Sequence, residues 1–219
     1  MYKLLIFDLD GTLLDTIHDL ANSVNFALEH FNFPTHNTDE YRFFIGNGVN
    51  ILLERALPAH KRSADDIAML KVEFIRHYNA HSDDFTQAYH GINSLLNKLY
   101  DANYKLAIAS NKFHAATIDL ATRFFPEIVF SDVFGQREGH APKPNPAILN
   151  EIITNAGVEK SEVLYIGDSG VDVATAYNAG VDFVGVLWGF RPQKELEEVG
   201  AKHFVTNTDE LYQFIIKKL

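Results

Sequence analysis

The sequence predicts a protein of the α/β class, with a doubly wound parallel sheet and a small all-helical domain inserted near its start. Three observations predict it. An apolar run at residues 3–7 meets turn residues at once, which is typical of a strand buried on both faces. Helical patterns follow it without a convincing strand as far as about residue 81. Beyond residue 92, short apolar runs alternate with helical patterns, which indicates parallel strands joined by helices.

The inserted segment begins directly after the first strand. From Thr16 to Phe31, apolar residues recur at three- and four-residue steps, which predicts one face of an amphipathic helix. Three more helical patterns follow, at residues 38–44, 49–57 and 64–78. We therefore interpret residues 16–81 as a helical cap domain, and residues 1–15 and 82–219 as an α/β core domain.

The remainder of the chain alternates between the two periodicities, without an internal repeat or a low-complexity segment. The predicted helices span residues 92–100, 113–124, 146–156, 171–179 and 193–199, with a last helix at the C-terminus. The predicted strands span residues 105–109, 128–130, 163–166, 183–186 and 203–205. Because ligands of open parallel sheets bind beyond the carboxyl ends of the strands, the residues after each strand are candidates for a site.

Composition excludes several classes of function. The 219 residues include no cysteine, which excludes thiol catalysis, cysteine-ligated zinc and a disulfide framework. The formal net charge of -10 leads us to expect no nucleic-acid partner, although a local site can still bind a phosphate group. The short apolar run at the start meets acids at once, so we expect a cytoplasmic protein without a secretion signal or membrane span.

Four polar segments lie after predicted strands or in the loops between elements. They contain Asp8 and Asp10, Ser110 and Asn111, Lys143, and Asp168 and Asp172. Because the carboxyl ends of parallel strands share one edge of the sheet, a single site could collect these acids, a hydroxyl and a lysine. Each segment alone is also typical of a turn, a helix N-terminus or a solvated loop.

The acids suggest both a reactive pair and a metal site. Asp8 and Asp10 are two residues apart, so a strand would direct both carboxylates to one face, where they can divide the roles of nucleophile and proton carrier. Asp8 and Asp168 offer the few oxygen ligands that Mg²⁺ favours. Asp172, in the first turn of a predicted helix, suits either a function or the helix dipole.

The other two segments suit a phosphate group. Ser110 and Asn111 would place a hydroxyl and a backbone N–H at the start of the following helix, although a serine N-cap is an equally ordinary role. Lys143 lies between prolines in a stiff loop, where it would either supply positive charge or remain solvated.

Taken in order, these segments resemble the haloacid dehalogenase-like phosphatase superfamily. The matching motifs are FDLDGTL at residues 7–13, SN at 110–111, KP at 143–144 and GDSGVD at 167–172. The resemblance covers nearly the whole chain. It implies a Rossmann-like core with an inserted helical cap, and hydrolysis of a small phosphorylated metabolite with Mg²⁺ as cofactor.

The resemblance also implies roles for the catalytic residues. Asp8 would be the nucleophile that forms an aspartyl-phosphate, and Asp10 would protonate the leaving oxygen before activating water. Lys143 would offset the negative charge on Asp8 and on the phosphoryl oxygens. Ser110 and a backbone amide would hold those oxygens, and Thr12 would belong to the substrate-binding set.

The metal site follows from the same resemblance. Mg²⁺ would bind Asp8, Asp168 and the backbone carbonyl of Asp10, and Asp172 would orient the groups around the metal. Mn²⁺ accepts the same oxygen ligands, so the sequence does not separate the two ions.

Within the superfamily the chain most resembles the phosphoglycolate phosphatase-like group. The resemblance rests on the short helical cap and on three segments, which are Ile45-Gly46-Asn47-Gly48, Ser110-Asn111-Lys112 and Trp188-Gly189-Phe190-Arg191. It implies that Gly46, Asn47, Gly48 and Asn111 contact the substrate. The two glycines are equally suited to ending one helix and starting the next.

Several alternatives share the same core. Asp10 favours phosphate chemistry over dehalogenation, which needs no acid for a departing halide. Sugar phosphatases, pyrophosphatases and β-phosphoglucomutase-like phosphomutases remain possible, although Arg42 and Arg55 are only weak candidates for the cap arginine of such mutases. A non-catalytic phosphometabolite sensor is a third class. A monomer and a homodimer are both open.

Overall fold

The computed structural model describes residues 1–217, and its elements divide into a sheet-based core and a helical cap. The strands are β1 (Leu4–Phe7), β2 (Leu14–Asp15), β3 (Gln87–Ala88), β4 (Lys105–Phe113), β5 (Asp132–Gln136), β6 (Val163–Gly167), β7 (Asp182–Val186) and β8 (Phe204–Val205). The α-helices are α1 (Ile17–His30), α2 (Thr38–Phe44), α3 (Val49–Ala56), α4 (Ala64–His81), α5 (Ile92–Asp101), α6 (His114–Phe124), α7 (Ala147–Ala156), α8 (Gly170–Ala179), α9 (Gln193–Glu198) and α10 (Thr208–Ile216). No helix in the described part of the chain combines the length and the apolar character needed to cross a membrane.

The main sheet has six parallel strands in the order β5-β4-β1-β6-β7-β8. β1 lies in the middle, and all its residues are buried, as its apolar run predicts. Its alternate side chains point to opposite faces of the sheet. Leu5 joins an apolar cluster with residues of α5 and α10, and Ile6 joins another with residues of α7 and α8. The predicted doubly wound α/β fold is confirmed.

The direction of sheet growth reverses at β1. From β1 the chain first builds outward through β4 and β5, then returns to place β6 on the other side of β1 and builds outward through β7 and β8. Open α/β sheets have a crevice at such a reversal, beyond the carboxyl ends of the strands. The segments that follow β1, β4 and β6 therefore meet at one edge of the sheet.

The cap has an apolar core of its own, built by α1 to α4. Tyr41, Leu53 and Phe74 are almost completely buried in it, each from a different cap helix. Helices α1 and α4 make the most extensive packing contact within the cap. Phe190 of the core domain also enters this cluster, so the cap and the core share an apolar contact.

The chain crosses between core and cap through a pair of short strands that the sequence pattern does not predict. β2 and β3 are antiparallel, with Leu14 opposite Ala88. Each strand has only two residues, which is too short for a hydrophobic period to show. We keep the division into a cap at residues 16–81 and a core at 1–15 and 82–219 as a proposal.

One predicted strand was wrong. Residues 128–130 form no strand, and β5 lies at Asp132–Gln136 instead, where it pairs with β4. Ile128 and Phe130 are apolar because their side chains pack on the core cluster from an irregular segment. β5 is an edge strand whose side chains are mostly half-buried, so its sequence lacks the apolar run of a central strand.

The strand β4 is longer than predicted. It continues through Ser110 and Asn111 to Phe113, with an irregular register between Ala109 and Phe113. Ser110 therefore lies in the strand and is not the N-cap of α6, since Phe113 occupies that position. Residues 110–112, near the end of β4, are small or polar because they line the crevice and do not pack in the apolar core. They therefore lack the apolar run by which the sequence indicates a strand.

Candidate active site

The site begins where β1 ends. The backbone N–H of Asp8 donates to the carbonyl of Ile166 in β6 at 2.9 Å, which continues the sheet by one residue. Gly11 then turns the chain with a φ of 86°, a conformation that glycine adopts without strain. A Cβ at Gly11 would overlap the Asp168 carboxylate, so glycine is also needed for the close approach of these two segments.

Lys143 is the central cation of the site. Its Nζ lies 2.9 Å from Asp8 Oδ1 and 2.7 Å from Asp172 Oδ1, and it donates to the Tyr165 hydroxyl at 2.8 Å. Burial works to lower the pKa of Lys143, but Asp172 and Asp8 outweigh burial and raise this pKa, so the ammonium stays charged. The side chain is only 2% exposed, and the alternative of a solvated loop lysine is therefore wrong.

Burial dominates the electrostatics of the neighbouring acids. Burial raises the pKa of Asp8, Asp172 and Asp10 add to this effect and Lys143 opposes it, and together they bring this pKa to about 7. Burial together with Asp172 and Asp8 also raises the pKa of Asp168 well above its usual range. One lysine does not offset this many carboxylates, so the site favours an additional positive charge.

The carboxylates are suited to a divalent cation. Within residues 1–217, the one group of acids or histidines with convergent ligand atoms is Asp8, Asp168 and Asp172, whose oxygens lie within 4.8 Å of one another. Asp8 Oδ1 has no hydrogen-bond donor in this part of the chain, because the nearby ammonium of Lys143 approaches it outside hydrogen-bond geometry. Hard, partly unsatisfied oxygen atoms are the donor set that Mg²⁺ or a similar ion accepts.

Asp172 differs from the other two acids, because both its oxygens are already engaged. Oδ1 accepts from Lys143 at 2.7 Å and from the Tyr165 hydroxyl at 2.7 Å. Oδ2 accepts from the Ser169 hydroxyl at 2.6 Å and from the Ser169 backbone N–H at 3.2 Å. This engagement favours the orienting role that the resemblance implies over direct metal binding.

Asp10 lies beside a second buried lysine. Lys112 Nζ lies 3.0 Å from Asp10 Oδ1 and 3.2 Å from Oδ2, and the Thr16 hydroxyl donates to Oδ1 at 2.7 Å. The same ammonium lies 4.8 Å from the centre of the Tyr78 ring in the cap. Burial works to lower the pKa of Lys112, but Asp10 and Tyr78 outweigh it and raise this pKa. Asp10 is thus held between the core and the start of the cap.

The remaining predicted residues lie at different depths. Ser110 is buried beside the crevice, and its Oγ accepts from the backbone of Lys112 at 3.2 Å. Asn111 also lines the crevice, but its side-chain amide donates to the carbonyls of Gly46 and Lys143, and its oxygen accepts from the Lys143 N–H. Thr12 is fully buried, and its hydroxyl donates to Asp168 at 3.4 Å.

The cap contributes two of its three predicted residues to the crevice. Gly46 and Gly48 line it, and both have positive φ values, 113° and 85°. They also separate α2 from α3, so they lie where one helix ends and the next begins, and their contact with a substrate stays a prediction. Asn47 is not among the lining residues, since its side chain accepts a hydrogen bond from Arg55 within the cap at 2.9 Å.

The crevice has a polar floor and an apolar roof. The core supplies the floor, which contains Asp8, Asp10, Ser110, Asn111, Lys112, Asp168 and Ser169. The cap and the adjoining core loops supply the apolar wall, which contains Leu20, Ile45, Val49, Leu52, Phe74, Phe113 and Phe190. Among the described lining residues, the cap offers no ionised side chain. A bound phosphate group would therefore sit on the core, with the rest of the ligand under the cap.

Sequence reasoning did not assign a role to several residues of this site. The sequence pattern indicates no role for Lys112 and only a strand position for Tyr165, and it leaves residues 188–191 open between a loop docked on the core and a substrate gate. A lysine directly after Ser110 and Asn111 is a signal that could have been followed, since it continues a strand that ends in the crevice. The contacts of Tyr165 and Arg191 depend on distant segments and leave no local pattern.

Comparison with known proteins agrees with this geometry. The sequence model of the family described as haloacid dehalogenase-like hydrolase matches residues 5–186. A phosphoglycolate phosphatase of Mesorhizobium japonicum is 34% identical over 225 residues, which cover 98% of this chain and 96% of that protein. Another, of Pasteurella multocida, is 34% identical over 195 residues, covering 86% of this chain and 87% of that protein.

A solved structure shows the same fold over the same extent. The crystal structure of a protein from Lactobacillus delbrueckii subsp. bulgaricus superposes with a TM-score of 0.92 at 30% identity, covering 98% of each chain. The family match spans the strands that carry Asp8, Ser110 and Asp168 as well as the inserted cap. The chain therefore belongs to the haloacid dehalogenase-like hydrolases.

Proposed function

We propose that this protein is a Mg²⁺-dependent phosphatase that hydrolyses phosphoglycolate or a close analogue through a phosphorylated Asp8. The observation that carries the proposal is the buried Asp8 carboxylate, with Lys143 at 2.9 Å and a second carboxylate, Asp10, two residues further along. Relatives that share 34% identity with the chain are named phosphoglycolate phosphatases, which supports the same substrate class here.

The chemistry takes two steps. In the first, an Asp8 oxygen attacks phosphorus, the bond from phosphorus to the leaving oxygen breaks, and Asp10 donates a proton to that oxygen. In the second, Asp10 accepts a proton from water, the water oxygen attacks phosphorus, and inorganic phosphate leaves with Asp8 regenerated. The position of Asp10, held by Thr16 and Lys112, suits a group that must face both the leaving oxygen and the water.

The charged groups of the floor support the first step. Asp8 must be ionised to attack, but burial and the neighbouring acids raise its pKa to about 7 despite Lys143, so without a further positive charge it is partly protonated near neutral pH. Mg²⁺ bound by Asp8, Asp168 and the Asp10 backbone carbonyl would neutralise charge on the acids and on the phosphoryl oxygens. Lys143 supplies positive charge 2.9 Å from Asp8, and its bonds to Asp172 and Tyr165 fix its position.

The apolar roof supports a small leaving group with few hydroxyls. Ile45, Val49 and Leu52 face the crevice from the cap, and a sugar hydroxyl buried against them would lose its hydrogen bonds to water. Lys112 and Arg191 also line the crevice, although Lys112 is paired with Asp10 and Arg191 donates to a cap carbonyl, so a carboxylate of the substrate would have to share these cations. These features favour a phosphorylated small acid over a sugar phosphate.

The phosphomutase alternative has no such support. Arg42 is half-exposed on the cap surface and pairs with Asp39 at 3.4 Å. Arg55 donates to the carbonyls of Phe43 and Phe44 and to Asn47, so its guanidinium is engaged within the cap. Neither arginine is among the residues that line the crevice, where a second phosphate group would have to be held.

Phosphate release from a substrate panel tests the proposal. The panel contains phosphoglycolate, sugar phosphates, pyrophosphate and nucleotides, each assayed with Mg²⁺ and with a chelator. We expect Mg²⁺-dependent release that is greatest for phosphoglycolate and falls by at least about 10³-fold in Asp8→Asn. Asp119→Asn, a surface acid on α6, is the matched control and should retain the wild-type rate.

Two outcomes would contradict the proposal. Turnover retained by a folded Asp8→Asn protein would exclude Asp8 as the nucleophile. Conversion of a sugar phosphate to its isomer with little free phosphate would instead identify a mutase.

A further inference from the structure

One loop of the core touches both the metal-binding acid and the cap. This loop, residues 188–191, follows β7. The Phe190 backbone N–H donates to Asp168 Oδ2 at 2.7 Å, and the Trp188 indole donates to the Thr12 carbonyl at 3.0 Å. Gly189 lies so close to Asp168 that a Cβ there would overlap the carboxylate. The position of Asp168 is thus tied to the position of this loop.

The next residue reaches the cap. Arg191 Nη2 donates to the carbonyl of Ile45 at 2.8 Å and to that of Phe43 at 3.3 Å, and the guanidinium lies 5.5 Å from the centre of the Phe43 ring. α2 ends at Phe44, so these carbonyls belong to the helix terminus, where carbonyl groups lack helical partners and the dipole is negative. Arg55 of the cap also donates to the Phe43 carbonyl, at 3.0 Å, so the Ile45 carbonyl is the main acceptor through which the core cation holds the end of this helix.

Two further contacts join the same parts of the molecule. The Asn111 amide of the core donates to the Gly46 carbonyl at 2.9 Å, one residue beyond the carbonyl held by Arg191. Phe190, between the Asp168 contact and Arg191, is buried in the apolar core of the cap. The core thus holds the cap segment at residues 43–46 through a guanidinium and an amide, and it reaches the apolar core of the cap through Phe190.

We propose that Arg191 is a positioning residue that clamps the end of α2 to the loop at residues 188–191, so that cap closure and the placement of Asp168 are coupled. Its meaning for catalysis rests on the proposed function, in which Asp168 binds the metal. If the cap moves away, Arg191 loses two carbonyl acceptors and Phe190 loses its apolar surroundings. The backbone N–H that holds Asp168 belongs to this same Phe190.

Glu195 supplies the partner that Arg191 keeps when the cap is away. Its Oε2 lies 3.4 Å from Arg191 Nη1, and its Oε1 accepts from the Gly170 N–H at 3.3 Å. Both contacts lie within the core, so they do not depend on the cap. With the cap away, the Arg191 guanidinium would contact Glu195 alone. With the cap in place, it contacts Glu195 and the carbonyls of Ile45 and Phe43.

The chain provides its own reporter for a test. Trp188 is the one tryptophan in the sequence and lies in the loop concerned, so its fluorescence follows the loop without a label. Mg²⁺ alone, titrated into metal-free protein, gives a binding midpoint from this signal. Hydrogen exchange of the peptide covering residues 38–48 reports how firmly the cap segment is held.

Arg191→Gln removes the clamp, and Arg62→Gln is the matched control, since Arg62 donates to carbonyls of Leu57 and Arg55 inside the cap. We expect Arg191→Gln to speed exchange of residues 38–48 and to raise the Mg²⁺ midpoint about five- to tenfold. Arg62→Gln should change neither. Arg191→Lys, which keeps the charge but lacks the forked geometry, should lie between wild type and Arg191→Gln, and it replaces Arg191→Gln if that variant does not fold.

Unchanged exchange and an Mg²⁺ midpoint within twofold of wild type would overturn the proposal. Faster exchange with an unchanged midpoint would overturn it too, because the coupling to Asp168 is the claim. Neither measurement requires turnover. If the wild-type protein releases no phosphate but Arg191→Gln still shows both shifts, the proposed phosphatase activity is refuted and the clamp is retained.

Discussion

Asp8 illustrates how a reactive residue can work against the stability of its own fold. The proposed chemistry requires an ionised carboxylate, yet the residue is 8% exposed and its pKa is raised to about 7, chiefly by burial. Lys143 offsets part of this effect, while Asp172 and Asp10 add to it. In the metal-free protein, the ionised Asp8 carboxylate is therefore less stable than it would be in water.

This conflict predicts that Asp8→Asn stabilises the metal-free protein. The folded pKa of about 7 exceeds the ordinary aspartate pKa of 3.8, so the stability associated with protonated Asp8 is complete below pH 3.8 and is lost as pH rises through 7. Asparagine has no such loss. In chelator, urea unfolding should show Asp8→Asn exceeding wild type at pH 8, by at most about 4 kcal/mol, with a smaller difference at pH 5.

The comparison has a simple control and a clear contrary result. Asp119→Asn, on the exposed surface of α6, should follow the wild-type protein at both pH values. A metal-free Asp8→Asn protein that is less stable than wild type at pH 8 would show that Asp8 is not strained by its burial.

Single residues of the site were predictable where chemistry imposes a local motif. Asp8, Asp10 and Lys143 were selected from the sequence, and the structure brings them together, although their roles stay predictions until tested. The burial of Lys143 could not be predicted, because it depends on Tyr165 and Asp172 from other segments. Lys112 has a local signal in its place directly after Ser110 and Asn111, but its pairing with Asp10 has none, since Asp10 is more than a hundred positions away.

At the scale of elements, the crossing between core and cap depends on one buried carboxylate. Asp19 of α1 is 1% exposed and accepts from the backbone N–H groups of Phe85 and Thr86 and from the Thr86 hydroxyl, at 2.7 to 3.1 Å. These two residues directly precede β3. Asp19 thus ties the first helix of the cap to the segment by which the chain returns to the core.

Removal of this carboxylate should destabilise the protein. Asp19→Ala leaves the buried N–H and hydroxyl of Thr86 and the part-buried N–H of Phe85 without their acceptor, and we expect a loss of about 3 kcal/mol in the free energy of unfolding. Asp19→Asn keeps one acceptor oxygen and should lose roughly half as much. Urea unfolding measures both, and Glu29→Ala, an exposed position on the same helix, should stay within about 0.5 kcal/mol of wild type. An Asp19→Ala loss no larger than this control would contradict the role.

The sequence predicts those strands whose residues are buried on both faces of the sheet, and it misplaces the half-buried edge strand β5. β1 and β6 are buried on both faces and stand out as apolar runs. β5 does not, because an edge strand is half-exposed, and the neighbouring apolar residues at 128–130 that pack on the core suggested the wrong position. β2 and β3 have two residues each and form because segments that are distant in the sequence pair with each other, so no local hydrophobic periodicity predicts them.

At the scale of the whole molecule, strand order concentrates the charges. Because β1 lies between β4 and β6, the acids after β1 and β6 and the lysine after Asn111 reach one crevice. The protein carries a net charge of -10, so its long-range field does not favour an anionic substrate. Attraction must come from buried lysines and a bound cation, which act at short range in surroundings of low dielectric.

The same concentration of acids predicts that Mg²⁺ stabilises the folded protein as a whole. A ligand at 100 times its dissociation constant adds about 2.7 kcal/mol, which for a chain of this size corresponds to a Tm increase of roughly 5–10 °C. The increase should largely disappear in Asp168→Asn, which removes one ligand charge from the crevice. Thermal unfolding with MgCl₂, against NaCl of equal ionic strength, separates site binding from general screening. Unfolding the chain separates the carboxylates of the crevice, so a cation bound between them stabilises the folded state. An equal increase of Tm in wild type and Asp168→Asn would therefore show that the stabilising ion binds elsewhere.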